Sequence, residues 1–371
     1  AFGSDSVSIL LNDGTGLFAE PLEYGVGTSP YGVTAGDFNG DGLFDLAVPN
    51  YYSDDVSILL GNGDGTFAIG LTFTVGSEPY APITGDFNND GKLDLAIGNY
   101  RSNDGSILLG SGAGMFAIQA PLAAGIGTSS IDSADFNDDG RLDLVTANLG
   151  DATLSLFLGQ ADGTFQPAIQ IAAGTAPTSA VVADFNRDGS ADLGFTDLSS
   201  NSVEVLLGRG NASFLTQPAQ SSSTKVYQVT SADFNGDGRL DLATVNYSQN
   251  DVLVLLGNQD GTFRFGGRYS AVADAICITA GDVNSDGIPD LVTGNYSTAD
   301  ISVLLGAGDG TFGAPQFFRA GSIPLSLLVA DFDGDAILDV VTVNSGAAQV
   351  SILIGSGNGQ FNNPTGVATD A

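Results

Sequence analysis

The feature that most constrains this chain is a repeat of 49 residues. A nine-residue acidic segment begins at Asp37, and its first residue recurs without insertion at Asp86, Asp135, Asp184, Asp233, Asp282 and Asp331. A second marker, the Phe that closes a Gly-Asp-Gly-Thr-Phe-like segment, keeps the same spacing at Phe18, Phe67, Phe116, Phe165, Phe214, Phe263, Phe312 and Phe361. A fixed period of this length is typical of an array of equal structural units.

Each unit contains four short apolar runs, which in the first unit are Tyr31–Gly36, Leu43–Pro49, Val56–Leu60 and Thr66–Val75. None is long enough for a helix, and the Asp-Gly and Asn-Gly pairs between them favour tight turns. We interpret the runs as strands A to D of a four-stranded antiparallel meander. A single meander cannot bury both faces, so the units must stack, and the sequence predicts an all-β, seven-bladed β-propeller.

The domain organisation follows from the repeat. Residues 1–371 are predicted to form one propeller, in which residues 29–371 supply seven units of 49 residues. Strands C and D nevertheless occur eight times, because residues 1–28 carry an additional pair. Exposed strand edges invite association, so we expect this N-terminal hairpin to pack on or close the last blade.

The residue before each acidic segment is small, as at Gly36, Gly85 and Ala134. In a propeller strand A is the innermost strand. We therefore expect crowding near the axis to exclude larger side chains from this position.

The composition excludes several classes of function. The chain has no His, which removes Ser-His-Asp chemistry and His-ligated zinc or iron. Forty-three acidic residues against ten basic ones give a formal charge of −33, so we expect no nucleic acid and no anionic membrane surface as partner. Cys277, the only cysteine, is predicted to be a small buried side chain. No apolar run approaches the length of a membrane helix, and no leader precedes the repeats, so we expect a mature soluble chain or a piece of a longer one.

The acidic segment has the donor pattern of a calcium loop. Positions 1, 3, 5 and 9 carry carboxylate or amide oxygens, as in Asp37, Asn39, Asp41 and Asp45, and a Gly stands at position 6. The turn at that Gly lets the backbone carbonyl of position 7 join them. Five or more oxygen donors suit Ca²⁺ better than Mg²⁺. The alternative is an Asp-rich turn held by side-chain hydrogen bonds to the backbone, without metal.

At these residues the chain resembles the FG-GAP/VCBS repeat family. The resemblance rests on the acidic loop, the following Asp45-Leu46-Ala47-Val48 strand and the Gly61–Phe67 segment, and it extends from Ser6 to Phe361. The family is similar to the calcium-bearing blades of the integrin α-subunit and of a fungal seven-bladed lectin. The resemblance implies an extracellular, secreted or cell-surface setting and calcium between strands A and B of every blade, up to seven ions in all.

The candidate metal ligands are the residues at positions 1, 3, 5, 7 and 9 of the seven loops. They are Asp37, Asn39, Asp41, Leu43 and Asp45; Asp86, Asn88, Asp90, Lys92 and Asp94; Asp135, Asn137, Asp139, Arg141 and Asp143; Asp184, Asn186, Asp188, Ser190 and Asp192; Asp233, Asn235, Asp237, Arg239 and Asp241; Asp282, Asn284, Asp286, Ile288 and Asp290; and Asp331, Asp333, Asp335, Ile337 and Asp339.

The face opposite the acidic loops is predicted to be the variable one, because it carries the B–C loops and the D–A connections. Tyrosines cluster there, and an aromatic ring with a polar tip suits a sugar or an extended peptide. The candidate ligand-binding residues are Tyr31, Tyr51, Tyr80, Tyr100, Tyr247 and Tyr296. The alternative is that these rings only prop neighbouring blades.

Two further patterns are candidates on this side of the units. A ladder of buried-type polar residues ends strand B at Asn50, Asn99, Asn148, Asp197, Asn246, Asn295 and Asn344, and we expect it to bond backbone groups of the B–C turns. Asp132 is the one acid at its repeat position, and with Arg101 it is the only modest candidate for catalysis.

These observations favour a calcium-stabilised binding module for adhesion or carbohydrate recognition, and they predict that the chain is not an enzyme. A single active site should break the repeat with a unique cluster, whereas nearly all Asp residues here occupy repeated positions. The alternatives are a polysaccharide-degrading propeller, acting as lyase or glycosidase, and an architectural spacer or assembly subunit of a larger surface protein. The sequence does not specify the ligand or the oligomeric state.

Overall fold

Each 49-residue unit folds into a four-stranded antiparallel blade in the computed structural model. It describes residues 5–11, 19–222, 225–247, 249–271, 274–346 and 349–362, together with the backbone of 365–368. Within every blade the spatial order is A-B-C-D, the same as the order along the chain. The prediction of an all-β, seven-bladed propeller is thus confirmed. In the described part of the chain, no helix is long and apolar enough to span a bilayer.

The strands begin with a hairpin and continue blade by blade. The hairpin pairs β1 (Ser6–Ile9) with β2 (Leu22–Gly25). Blade one contains β3 (Thr34–Gly36), β4 (Asp45–Asn50), β5 (Asp55–Gly61) and β6 (Phe67–Thr74). Blade two contains β7 (Pro79–Gly85), β8 (Asp94–Asn99), β9 (Asp104–Gly110) and a divided strand D, β10 (Phe116–Ile118) with β11 (Leu122–Ala123). Blade three contains β12 (Thr128–Ala134), β13 (Asp143–Asn148), β14 (Thr153–Phe157) and β15 (Ile169–Ala172).

The remaining four blades repeat this order. Blade four contains β16 (Pro177–Ala183), β17 (Asp192–Asp197), β18 (Ser202–Gly208) and a divided strand D, β19 (Phe214–Thr216) with β20 (Gln220–Ser221). Blade five contains β21 (Val226–Ala232), β22 (Asp241–Asn246), β23 (Asp251–Gly257) and β24 (Phe263–Ser270). Blade six contains β25 (Ala275–Gly281), β26 (Asp290–Asn295), β27 (Asp300–Leu304) and β28 (Gln316–Arg319). Blade seven contains β29 (Pro324–Ala330), β30 (Asp339–Asn344), β31 (Gln349–Leu353) and β32 (Thr365–Ala368).

The core lies between blades, where a Phe at position 2 of an acidic loop meets the closing Phe of the next blade. Phe38 of the first acidic loop packs edge-on against Phe116 of blade two, with ring centroids 5.6 Å apart, and Phe234 meets Phe312 in the same way at 5.4 Å. The 49-residue period therefore preserves a contact between neighbouring units. Burial of two aromatic rings at each such junction makes it a main source of stability.

The small residue before each acidic loop is explained by the neighbouring blade. A Cβ on Gly36 would lie 2.6 Å from Leu93 Cδ1, and Leu93 belongs to the acidic loop of blade two. Gly281 is constrained in the same way, because its Cβ would approach Leu338 of blade seven. The crowding that the sequence predicted is present, but it arises from the next blade's loop rather than from the meeting of strands at the axis.

The N-terminal hairpin contacts blade one in the described residues. The Tyr24 ring meets Phe67 edge-on at 5.9 Å, and the Phe67 backbone N–H donates to Tyr24 Oη at 3.0 Å. The Asp5 carboxylate accepts the backbone N–H of Ser29. Packing of this hairpin on the last blade stays a prediction.

Cys277 is buried as expected, and burial raises the pKa of its thiol to about 12.

Candidate functional site: acidic loops and tyrosine face

The seven acidic loops connect strands A and B and share one hydrogen-bond pattern. In the first loop, Asp37 accepts the backbone N–H groups of Gly40, Asp41 and Gly42 at 2.7, 3.2 and 2.8 Å. Asn39 Oδ1 accepts the N–H of Asp41, and Asp41 Oδ1 accepts the N–H of Leu43. The backbone N–H groups, that of Gly42 foremost, lower the pKa of the Asp37 carboxyl. The loop therefore holds the side chains of positions 1, 3 and 5 in fixed directions.

Position 6 requires a left-handed backbone in all seven loops. Its φ is +83° at Gly42 and between +81° and +91° in the next five loops, and Ala336 in the seventh loop has φ +69°. A Cβ at Gly42 would meet no atom within 4 Å, so the conformation and not the available space favours glycine. Left-handed backbone is costly for a residue with a Cβ, so Ala336 is strained.

Position 4 shares this conformation, which the sequence analysis missed. It is occupied by Gly40, Asn89, Asp138, Arg187, Gly236, Ser285 and Gly334, all with φ between +57° and +82°. The signal was the frequency of Gly, Asn and Asp there, which are the residues that best tolerate positive φ.

Position 9 is placed differently from the other predicted ligands. The Asp45 side chain is fully buried, and its two oxygens accept the backbone N–H groups of Phe38 and Gly61 at 2.9 and 2.8 Å. The same pair of bonds recurs in each of the seven blades. Burial raises the pKa of this carboxyl to about 6 in Asp143, Asp192, Asp241 and Asp290. In the structure this residue ties the loop to the end of strand C.

Three carboxylates converge in the seventh loop, where position 3 is Asp rather than Asn. One carboxylate oxygen from each of Asp331, Asp333 and Asp335 lies within 4.8 Å of the others. Three acidic oxygens at this spacing are a hard donor set of the kind that suits Ca²⁺, so the residues present fit that ion. In three other loops a basic side chain at position 7 pairs with the acid at position 5; the pairs are Lys92–Asp90, Arg141–Asp139 and Arg239–Asp237. The sequence analysis nominated these three basic residues only for their backbone carbonyls and missed the pairs.

The opposite face carries a tyrosine cluster, which we define as Tyr31, Tyr51, Tyr52 and Tyr80. Tyr31 and Tyr80 stack with centroids 4.4 Å apart, and their hydroxyl oxygens are 2.9 Å apart. Tyr51 lies 6.0 Å from Tyr31 and meets Tyr52 edge-on at 5.0 Å. Tyr52 is 62% exposed and Tyr31 37% exposed. Three of the predicted ligand-binding tyrosines are thus brought together, and Tyr52 extends them toward solvent.

Charged groups of blade two hold this cluster in place. The Tyr51 hydroxyl donates to Glu78 Oε2 at 2.7 Å, and burial together with Glu78 raises the pKa of that hydroxyl to about 12. Burial also raises the pKa of Tyr80. Arg101, a modest catalytic candidate in the sequence, instead pairs with Glu78 at 3.2 Å and is otherwise exposed. The Tyr51 and Tyr80 hydroxyls therefore stay protonated, and Tyr51 adjoins one ion pair. Tyr100 follows in the B–C loop of blade two, and its ring lies next to Gly127.

A second group of tyrosines lies on blades five and six. Tyr227 and Tyr247 have ring centroids 5.4 Å apart, and Tyr296 is 39% exposed. Tyr247 and Tyr296 were predicted, whereas Tyr227 was missed. It occupies the repeat position of Tyr31 and Tyr80, so the period itself was the signal.

A cavity of about 590 Å³ opens on the same face between blades six and seven. Its lining is largely polar and includes Thr298, Asp300, Arg319, Ser322 and Gln349. A cavity of this size and polarity accommodates a small polar ligand.

The polar ladder at the ends of the B strands is internal. Asn50 Nδ2 donates to Asp55 Oδ1 and Ser57 Oγ, at 2.6 and 2.9 Å. The recurring partner is thus a strand C side chain rather than the backbone of the B–C turn, and Asn344 adds a bond to the Ala320 carbonyl, outside that turn. The expected bonds to the turn backbone occur at Asp197. Asp197 departs from the pattern and accepts the backbone N–H groups of Ala176, Ser199 and Ser200. Asp132, on β12, accepts the backbone N–H of Ser133, and burial raises the pKa of its carboxyl.

Comparison with known proteins gives a family and a fold. A family model described as an FG-GAP-like repeat matches residues 1–48, 37–97, 86–146, 135–195, 191–244, 233–293 and 282–342. Among curated proteins, none matches the chain significantly.

Solved structures resemble it at low identity. An Agrocybe aegerita lectin that recognises non-reducing terminal N-acetylglucosamine has 21% identity and a TM-score of 0.57, covering 85% of this chain and 88% of its own. A periplasmic gluconolactonase of Pseudomonas aeruginosa has 17% identity and a TM-score of 0.61, covering 87% and 95%. A candidate 6-phosphogluconolactonase of Bacteroides uniformis has 15% identity and a TM-score of 0.62, covering 92% and 97%.

The prediction that the chain is not an enzyme is wrong, and these neighbours are the finding that overturns it. Propellers of the same architecture include a gluconolactonase as well as a lectin. The prediction relied on the missing His and on the regular repeat, but neither observation excludes chemistry at a site formed by variable loops. At this level of identity the neighbours establish the fold alone.

Proposed function

This chain belongs to the FG-GAP-like repeat family, and from that premise we propose that it is a calcium-stabilised, extracellular module that binds carbohydrate through its tyrosine face. The observation that carries the proposal is the tyrosine cluster. Tyr31 and Tyr80 are stacked, and Tyr51 is hydrogen-bonded to Glu78. The rings of Tyr31 and Tyr52 remain exposed to solvent. Such rings offer a flat apolar surface to a sugar ring and hydroxyl groups to its edges, without a net charge.

Two further observations support carbohydrate as the ligand class. The polar cavity between blades six and seven lies on the same face as the cluster. A lectin that recognises N-acetylglucosamine shares the architecture. An extracellular protein ligand is the alternative, because tyrosines also anchor protein interfaces.

Calcium in this proposal stabilises the fold. Side-chain oxygens at positions 1, 3 and 5 of each loop, with the backbone carbonyl of position 7, would hold the ion, up to seven ions in all. Bound Ca²⁺ supplies positive charge that offsets the repulsion between the clustered carboxylates. The loops bind on the face away from the tyrosines, so calcium acts on ligand binding through the integrity of the blades. FG-GAP-like repeats are typical of extracellular proteins, where millimolar calcium fills even weak sites.

A glycan array in calcium buffer tests the proposal, with Tyr52→Ala as the site variant and Phe44→Ala as the control. Phe44 is an exposed aromatic residue, 75% accessible, on the acidic-loop side. We expect the wild type and Phe44→Ala to bind the same glycans, and Tyr52→Ala to bind at least tenfold more weakly. Equal binding by both variants would place the ligand elsewhere. Absence of any glycan binding, with capture of an extracellular protein instead, would overturn carbohydrate as the ligand.

Turnover of any glycan that binds is measured in the same samples. Reducing-sugar and unsaturated-product assays detect hydrolysis and elimination respectively. If the wild type forms product and Tyr52→Ala does not, the tyrosine face is an active site and not only a binding site.

A further inference from the structure

Strand D is one edge of the sheet in every blade, and no further strand pairs with it in the described part of the chain. Such an edge presents unpaired backbone N–H and C=O groups to any extended segment that approaches it. Soluble proteins block these edges with proline, with charged side chains or by shortening the strand. The D strands of the blades can therefore be compared for how well each edge is blocked.

Proline interrupts the D segment, the stretch that follows the closing Phe of a unit, in five blades and in the N-terminal hairpin. The residues are Pro21, Pro121, Pro167, Pro218, Pro315 and Pro364. The described strands of these segments have only two to four residues each. Because proline has no backbone N–H to donate, these edges cannot pair with a long partner strand.

Two D strands are long and contain no proline, namely β6 of blade one and β24 of blade five, with eight residues each. In β24 the edge carries two exposed arginines, Arg264 and Arg268. Positive charges on an edge strand repel the same strand of a second copy. The sequence of β6 is Phe-Ala-Ile-Gly-Leu-Thr-Phe-Thr, without a charged residue. Among the described D strands, β6 is thus the least protected.

The side chains of β6 form an apolar surface beside this edge. Ile69 is 69% exposed and Leu71 46% exposed. The two ends of the strand are anchored on neighbouring units: Phe67 contacts the N-terminal hairpin, and Phe73 meets Phe116 of blade two edge-on at 5.4 Å. The edge is therefore held extended before any partner binds, which lowers the entropic cost of pairing.

One irregularity limits the length that can pair. The register between β5 and β6 shifts between Ser57 and Leu59, which places a bulge at Gly70. A bulge twists an edge strand and is itself a partial protection. Pairing with β5 is regular again from Thr72 to Thr74. We therefore expect this end of β6 to be the part that pairs with a partner strand.

We propose that β6 is an interaction edge for a second copy of this chain, whose own β6 pairs with it antiparallel about a two-fold axis. Such an interface is isologous, since the same edge serves on both partners. It places only uncharged side chains opposite one another. Because no other D edge in the described part of the chain is both long and uncharged, the assembly ends at two copies and does not grow into a fibre.

The net charge of the chain separates this partner from a cationic one. Two chains of formal charge −33 repel each other, and salt screens that repulsion beyond about 8 Å at physiological ionic strength. A cationic peptide would be attracted by the chain as a whole, but β6 has no acidic side chain to bind its basic groups. Salt therefore tightens a dimer of this chain and loosens the binding of a cationic peptide.

Light scattering and sedimentation of the full chain in calcium buffer, over a series of concentrations, test the proposal. The dimer should be weak, because the paired stretch is short and interfaces below about 1,200 Å² are typical of transient contacts. We expect a dissociation constant of about 10–100 µM, which falls as sodium chloride is raised from about 50 to about 300 mM. A chain that stays monomeric up to about 1 mM, or that forms species larger than a dimer, would overturn the proposal.

Matched variants locate the interface. Ile69→Lys and Leu71→Lys should each weaken the dimer at least about tenfold, because the added charge enters a two-fold interface twice. The control is Phe265→Lys, at the repeat position of Ile69 in β24, where Phe265 is 62% exposed. It should dimerise as the wild type does, and all three variants should keep the melting temperature of the dilute monomer. Equal dimerisation by Leu71→Lys and Phe265→Lys would overturn the proposal.

Hydrogen exchange gives a readout that needs no substitution. The backbone amides of residues 67–74 should exchange more slowly at high protein concentration than at low concentration, whereas those of residues 263–270 should not change. Protection that depends on concentration only in other segments would place the dimer contact elsewhere and overturn the proposal. A monomeric chain that binds a synthetic peptide of alternating valine and lysine at β6, less tightly as salt is raised, would make a cationic segment the partner and would overturn the second copy.

Discussion

The two faces of the propeller differ in how closely their residues follow the 49-residue repeat. On the acidic-loop face, seven loops repeat the same hydrogen bonds, and the position-9 Asp is buried in every blade. On the tyrosine face, the residue after the ladder position is Tyr in blades one, two, five and six, Leu in blades three and four and Ser in blade seven. A feature needed by every blade is repeated, whereas recognition of one ligand requires groups that differ around the ring. Under the proposed function, the first face serves stability and the second serves recognition.

Among the tests of this division, removal of calcium should have the largest effect on stability. At free calcium 100-fold above its dissociation constant, each filled site adds about 2.7 kcal/mol to the free energy of unfolding. We expect EDTA to lower the melting temperature markedly, measured by calorimetry, and calcium to restore it. Tyr52→Ala should show the same calcium-dependent gain as the wild type. An unchanged melt in EDTA would refute the role of the loops as calcium sites.

Loss of a position-9 acid should have the next largest effect. Asp241→Ala leaves the buried backbone N–H groups of Phe234 and Gly257 without acceptors, and each costs about 1–3 kcal/mol. We expect a loss of about 2–5 kcal/mol in urea unfolding, against less than about 0.5 kcal/mol for the exposed Tyr52→Ala. Similar losses for the two variants would erase the proposed division between the faces.

The pH dependence of stability sharpens the comparison further. Burial raises the pKa of Asp143, Asp192, Asp241 and Asp290 to about 6, above the value of 3.8 for an exposed Asp. The folded state then binds more protons than the unfolded state between these values, so stability without calcium should fall as pH rises from 4 to 6. The neighbouring loop carboxylates also raise these pKa values, and bound Ca²⁺ would offset that repulsion and favour the ionised position-9 acid, so the stabilising effect of calcium should increase over the same range. Thermal melts with and without EDTA measure both trends, and parallel pH profiles would contradict the assignment.

The smallest effect concerns the one loop with a side chain at position 6. Ala336→Gly relieves a φ of +69° and should stabilise the protein by about 1 kcal/mol. We expect calcium to bind the seventh loop more tightly in this variant, and in the wild type we expect that loop to empty first as calcium falls. Crystallographic occupancy in a calcium series measures the order. A seventh loop that empties last in the wild type would show that the carboxylate of Asp333 outweighs the strain.

The fold was predictable because a period is a property of the sequence. The 49-residue spacing predicted seven blades, and the Asp and Gly positions predicted the acidic loops. The missed features depend on which side chains meet in three dimensions. The Leu93 contact at Gly36, the Arg239–Asp237 pair and the Ser57 partner of Asn50 could not be derived from spacing.

The candidate site was less predictable than the fold. Tyr31 and Tyr80 were nominated, but their stacking and the role of Glu78 require the geometry of two adjacent blades. The contact of the hairpin with blade one could not be predicted either, because the repeat gives the number of strands but not the neighbour that each strand contacts.

The Phe38–Phe116 type of junction has a consequence for how such genes change in length. Deletion of residues 135–183 would remove one whole period and join Ala134 to Asp184. Because each such junction joins the same two surfaces, Phe185 of blade four would then take the place of Phe136, and the spacing of the repeat would be unchanged. Units contact mainly their neighbours, so the remaining junctions would be unaffected. Unequal recombination between copies can therefore add or remove whole blades in single steps, and the number of blades is a variable that selection can adjust independently of the chemistry within any one of them.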